Sequence, residues 1–146
     1  MISRFYKLTL FSLLGIVLLA ALPSCGGQSQ GQLTMMPLDE MPASVQSAPS
    51  SVQQAYQFTT VNPNIMKQIP CYCGCGAMGH TSNYSCYVQS MDASGTITFE
   101  NHALGCSICV DITQDVMRLQ REGKSIPEIK SYIDATYSKY GPSNMP

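Results

Sequence analysis

Six of the chain's seven cysteines fall between positions 71 and 109, three of them at alternate positions in Cys71-Tyr72-Cys73-Gly74-Cys75. No other feature constrains the fold as strongly. Ordered structure is expected from about Tyr56 to Tyr140, one unit of about 85 residues, and a core that small is marginal unless disulfides or a metal staple it. Sulfur at this density supplies the staple. Tryptophan is absent, so Tyr72, Tyr84 and Tyr87 are the expected aromatic shield beside the cysteines.

Outside that unit, Arg4 and Lys7 precede an apolar run over residues 8–22, followed by Pro23-Ser24-Cys25. A positive start, a short apolar stretch and a small residue before the processing point form the order of an export signal. The run is about 15 residues, short of the ~20 that a membrane-spanning helix needs. The string before Cys25 resembles a bacterial lipobox, which implies cleavage before Cys25, lipid on that cysteine and a place on the extracytoplasmic face of a bacterial membrane. Two lipid-borne chains give stable anchoring where one acyl chain does not. Residues 1–24 are therefore expected to be a lipoprotein signal peptide. After cleavage six Lys and Arg remain against nine Asp and Glu. With no basic stripe, nucleic acid and anionic lipid headgroups are poor partners.

Residues 26–54 are rich in Gln, Ser, Gly and Pro with scattered Met35, Met36 and Met41, and show neither a helical nor an alternating apolar period. Residues 25–55 are expected to be a flexible tether, with the methionines as spacers. Beyond it, residues 64–68 form a short helical turn stopped by Pro70. Residues 86–91 and 96–100 form a hairpin across Asp92-Ala93-Ser94-Gly95. Ile108, Ile112, Val116 and Leu119 mark one face of a helix over residues 106–122, with Gly123 just past its end. Ser125-Ile126-Pro127-Glu128 is a capping box opening a second helix, whose apolar side carries Ile126, Ile129, Ile133, Tyr137 and Tyr140. The fold expected over residues 56–141 is thus a small α-rich, cysteine-rich domain: a helical hairpin, a minor β-hairpin and a Cys-rich loop. Residues 142–146 are expected to be a tail.

Both histidines of the chain stand near cysteines, His80 after the first cysteine stretch and His102 before Cys106-Ser107-Ile108-Cys109. Gly74 and Gly76 can take positive φ and let the loop wrap its sulfurs around one centre. Cys106 and Cys109 share a face in a helix's first turn, where the dipole favours thiolates. Thiolate with imidazole selects soft ions such as copper(I) or zinc, not calcium. One reading is therefore a copper or zinc site built from Cys71, Cys73, Cys75, Cys106 and Cys109 with His80 or His102. Alternatively, His80 is a solvated loop residue and His102 an end cap of the helix. Cys86 opens a strand and ranks below the other cysteines as a ligand. Met78 is a weak axial copper ligand at most and is expected to pack. Asp111 and Asp115 are expected on a solvated face. A second reading is a structural disulfide framework, the default for an even count in an exported domain, although neighbours in Cys-x-Cys bridge each other only with strain. A third is thiol–disulfide exchange by Cys106 and Cys109. No hydrolase constellation, phosphate loop or paired carboxylates are present, so a metal-binding protein is favoured over an enzyme.

The string Pro70-Cys71-Tyr72-Cys73-Gly74-Cys75 resembles the PCYCGC-motif family of bacterial exported proteins and lipoproteins, and the likeness runs from about Pro70 to Tyr137. It implies a cysteine-rich extracytoplasmic domain. More weakly, Cys106-Ser107-Ile108-Cys109, the helix after it and the stretch to Tyr140-Gly141 are similar to the thiol-bearing domain of cytochrome c maturation proteins. That likeness implies a helical bundle with Cys106 and Cys109 as a redox pair, acting in cytochrome or oxidase assembly. Either way, the expected partners are a metal ion and a metal- or thiol-accepting exported protein.

Overall fold

The computed structural model describes residues 31–146. The expected signal peptide and Cys25 lie outside the described residues. The first described helices each begin directly after a proline: α1 (Ala43–Gln46) after Pro42 and α2 (Ser50–Val61) after Pro49. A short α3 (Pro63–Met66) takes proline as its own first residue. Proline suits these starts because its fixed φ is already helical and its missing N–H would be unpartnered there anyway. Asn62 ends α2, since a residue before proline is driven out of the helical region. Its side-chain amide then donates to the Phe58 carbonyl at 2.7 Å.

The expected tether is therefore corrected for the part that is described. Met41 and Val45 are buried, Ala55 and Tyr56 fully so, and Leu33, Met35, Met36, Leu38 and Val52 pack around them. The glutamines that give the segment its linker composition serve its backbone. Gln57 Nε2 donates to the Met36 carbonyl at 2.8 Å while the Met36 amide donates back to the Gln57 carbonyl at 3.0 Å. Gln46 Nε2 reaches the Met41 carbonyl at 2.7 Å, and Gln53 Nε2 reaches the Gln46 carbonyl at 2.7 Å. The apolar anchors are spread over several short turns, so no single period announces them.

The rest follows the expected plan. An antiparallel hairpin pairs β1 (Val88–Met91) with β2 (Ile97–Phe99), with an irregularity between Val88 and Ser90. Asp92 closes its turn by accepting the Ser94 and Thr96 amides at 2.9 and 2.8 Å. Then α4 (Ser107–Arg121) buries Cys109, Val110, Ile112, Thr113, Val116, Met117 and Leu119. Gly123 (φ +75°) reverses the chain. The capping box forms as read, the Ser125 amide donating to Glu128 Oε2 at 2.9 Å, and opens α5 (Ile126–Tyr137). Ile129, Ile133 and Tyr137 are buried against α4, whereas Tyr140 lies outside at 55% exposure. Helix α2 also packs on α4, and Tyr56 makes an edge-to-face contact at 4.9 Å with Tyr87, the residue before β1. The Tyr56 hydroxyl donates to the Glu100 carbonyl at 2.6 Å.

Two smaller expectations are corrected. Asp111 is exposed as read, but Asp115 accepts the Tyr137 hydroxyl at 2.8 Å and Arg118 at 2.9 Å, so it ties α5 to α4. Residues 142–146 are not a passive tail. The Asn144 amide donates to the Cys71 carbonyl at 3.0 Å, and Asn144 Oδ1 accepts the Cys71 amide at 2.7 Å. Gly141 permits this return, since a Cβ there would stand 3.0 Å from the Tyr72 carbonyl. Among the described residues no helix is long and apolar enough to cross a membrane.

Candidate metal centre

Four segments converge on one end of α4. The Pro70–His80 loop approaches first. Gly74, at φ +84°, turns it between Cys73 and Cys75, so those two sulfurs fall in different groups. Gly76 does not take positive φ as expected; it lies in the 3-10 turn Cys75–Met78, close against Asn144. A second 3-10 turn, Tyr84–Cys86, brings in Cys86. The third segment is the turn His102–Leu104, whose start is fixed by Glu100 Oε1 accepting the Asn101 and His102 amides at 2.9 and 3.2 Å. The fourth is α4 itself, with Cys106 at its N-cap and Cys109 in its first turn.

Two groups of donors result. The outer one is Cys73, His102, Cys106 and Cys109, with all ligand atoms within 4.8 Å of one another; the inner one is Cys71, Cys75 and Cys86, equally close. In the outer group Cys73 Sγ lies 3.4 Å from His102 Nε2 and 3.6 Å from Cys109 Sγ. In the inner group Cys75 and Cys86 sulfurs are 3.6 Å apart. Cys71 Sγ stands 3.4 Å from both Cys73 and Cys109, so the groups touch. All six described cysteines are free thiols. These spacings suit a metal. A tetrahedral ion with ~2.3 Å bonds to sulfur sets sulfur edges of ~3.8 Å, and shorter ones to nitrogen. The Cys/His groups could hold a metal ion.

The arrangement sorts the expected ligands. Cys73, Cys106, Cys109 and His102 come together, while Cys71 and Cys75 join Cys86 instead, the cysteine that its strand-opening position had ranked lowest. His80 belongs to neither group. It is not a solvated loop residue either: it is buried, its ring stands edge-on to His102 at 5.2 Å between centroids, and its Nδ1 has no partner. Met78 is 61% exposed instead of packed. The tyrosines behave as read. Tyr72, Tyr84 and Tyr87 are all buried, and the Tyr72 hydroxyl donates to Asp134 at 2.6 Å, fastening the loop to α5. Burial, with the Asp134 carboxylate, pushes the Tyr72 phenol up to about 12, so it stays a donor at neutral pH.

Protonation shows how the sulfurs share charge. Hydrogen bonds from the Cys71 and Cys86 thiols bring Cys109 down to about 6, against the opposing effect of burial. That shift favours the expected thiolate, and its largest causes are the neighbouring thiols. Cys73 is pushed up by burial and then by the negative charge of Cys109, and Cys86 is pushed up because it donates to Cys109. A cation bound here replaces the remaining thiol protons. A buried polar network holds Cys109 in place. The Tyr87 hydroxyl donates to its carbonyl at 2.8 Å, and Asn83 Nδ2 does so at 3.3 Å. Thr113 in turn donates to Asn83 Oδ1 at 2.9 Å. Nothing in the sequence pattern marks Asn83 or Asn144 as supporting residues, because both come from segments that read as loop.

Fold and site together define a small helical, cysteine-rich domain whose thiols and histidine could hold a metal ion. The chain belongs to the PCYCGC family: the family described as "Protein of unknown function with PCYCGC motif" matches residues 25–146. No curated protein and no solved structure matches it.

Proposed function

We propose that the protein is a membrane-anchored lipoprotein that binds copper or zinc outside the cytoplasm through Cys73, His102, Cys106 and Cys109. The observation that carries the reading is three sulfurs and one imidazole nitrogen within 4.8 Å of one another at the start of one helix. Three thiolates and an imidazole form a donor set that zinc accepts as a closed tetrahedron, and copper(I) shares its preference for sulfur. Cys73, His102 and Cys106 are each half-buried, so an ion could pass to or from the site without the core opening. An open groove of about 300 Å³ beside Cys106, lined by Val52, Leu104 and Val110, lies next to that exit. Storage or delivery to an exported acceptor protein fits such a half-open site.

Thiol–disulfide exchange is less well supported. Cys109, one sulfur of the pair that exchange would use, is fully buried and beyond the reach of a protein disulfide. A purely structural disulfide framework is disfavoured by six free thiols. The anchoring part rests on Arg4, Lys7, the apolar run over residues 8–22 and Cys25.

Expression in a bacterium tests both parts. The chain is expected to fractionate with membranes and to need detergent for release, and Cys25→Ala is expected to free it into the soluble exported fraction. In either location Cys106→Ser and His102→Ala are expected to lower copper or zinc affinity at least tenfold with the helical circular dichroism retained. Unchanged fractionation of Cys25→Ala would refute the anchor, and unchanged metal content in both ligand variants would refute the site.

A further inference from the structure

Seven donors lie in the two touching groups, four outer and three inner. Two complete four-coordinate shells need eight donor positions, so seven suffice only if one sulfur serves both. Cys109 is placed to do so. It belongs to the outer group, and its sulfur lies 3.4 Å from Cys71 of the inner group.

We propose that the domain holds two thiophilic metal ions joined by Cys109 as a bridging thiolate. Cys73, His102 and Cys106 complete the outer shell, and Cys71, Cys75 and Cys86 the inner one. This rests on the metal-binding reading above and adds a second ion, the residues that hold it and the link between the two.

Burial supports the inner centre independently. Cys71, Cys75 and Cys86 are at most 1% exposed. Three sulfurs are packed together in a core where simple apolar side chains would fill the space. Free thiols are weak hydrogen-bond donors, and a soft cation is what brings out their binding strength. A supporting residue is also present: Asn144 Nδ2 donates to Cys75 Sγ at 3.4 Å, while its backbone and Oδ1 clasp Cys71. Outer partners of that kind orient ligands and raise affinity. On loading with two divalent ions all six sulfurs bind as thiolates, those still protonated giving up their protons to solvent as metal–sulfur bonds replace the S–H bonds. The filled cluster carries a net charge of about −2, offset in part by the Asn144 N–H. The two centres differ in access, since the outer donors other than Cys109 are half-buried and the inner ones enclosed. The outer ion is therefore expected to exchange faster.

Cadmium(II) is a suitable thiophilic probe because its own nuclear magnetic resonance reports the ligand shell. The mature chain, residues 25–146, reduced and loaded anaerobically with cadmium, is expected to bind two ions by native mass spectrometry. It should give two resonances with mutual scalar coupling through the shared sulfur, the outer one shifted by its nitrogen ligand. Cys86→Ser is expected to leave one ion, with the resonance of the sulfur-and-nitrogen shell, and Asn144→Ala to weaken the inner ion about tenfold or more. Circular dichroism verifies that each variant is folded, and the wild-type coupling decides the matter if Cys86→Ser is not. Two uncoupled resonances would overturn the bridge. A single ion bound by wild type would overturn the second centre while leaving the proposed function standing. No ion at all would overturn both.

Discussion

Stripping metal from residues 25–146 with a strong chelator is expected to lower their melting temperature sharply and to loosen the domain unevenly. Binding to the folded state alone adds stability that grows with the logarithm of ion concentration over Kd, ~4 kcal/mol at a thousandfold excess and more for tighter sites. Structural zinc sites in small domains contribute ~10 kcal/mol or more in this way. The effect should be smaller than in a zinc finger, because α2, α4 and α5 bury Phe58, Ile112, Val116, Ile129 and Ile133 without help from any ligand. Hydrogen exchange should therefore rise most in residues 70–86 and 102–109. Those stretches contain short 3-10 turns, and their backbone is held by few regular hydrogen bonds. Helices α4 and α5 should keep most of their protection. A melting curve and exchange pattern unchanged by the chelator would mean that the sulfur cluster does not couple metal to the fold.

Starting the chain at residue 56 is expected to cost it the fold, although residue 56 is where the sequence pattern places the start of order. The cut removes Met41, Val45 and Ala55 from the core, the half-buried Leu33, Met35, Met36, Leu38 and Val52, and the first half of α2. Each full apolar burial contributes ~1.5–3 kcal/mol. The sum approaches the 5–15 kcal/mol by which whole domains are stable. Chains starting at residues 31 and 56 can be compared by circular dichroism during a thermal melt. The first should unfold cooperatively; the second should show little cooperative transition and expose Tyr56 and Met117. Equal melting temperatures would mean that the N-terminal helices are accessory.

These two results bear on what the sequence discloses. The helical hairpin is legible because local signals agree: Ile112, Val116 and Leu119 keep one period, Gly123 stops the helix, and Ser125 with Glu128 opens the next. The β-hairpin is legible through Asp92 and Gly95. The N-terminal half of the core is not. Its anchors obey no period, and its glutamines, which read as solvent-loving, satisfy carbonyls of their own segment. The metal-site chemistry is legible in residue type, since every cysteine from 71 to 109 and His102 reach one cluster. Its partition is not, because alternation in Cys71-Tyr72-Cys73-Gly74-Cys75 suggests a common side, whereas Gly74 turns Cys75 away to meet Cys86. Cys86 reads as opening a strand, yet the hairpin starts only at Val88, and Cys86 belongs to a turn that faces inward. His80 shows the reverse: nearness in sequence to three cysteines leaves it packed on His102 and outside both groups.

Whether these thiols hold metal is decided by elemental analysis of residues 25–146 purified without oxygen, with free thiols counted before and after chelation. At least one equivalent of copper or zinc per chain is expected, with few reactive thiols at first and up to six appearing once the metal is removed. A chain that carries no copper or zinc, takes none up when supplied under reducing conditions, and shows the same thiol count throughout would contradict the metal-binding reading.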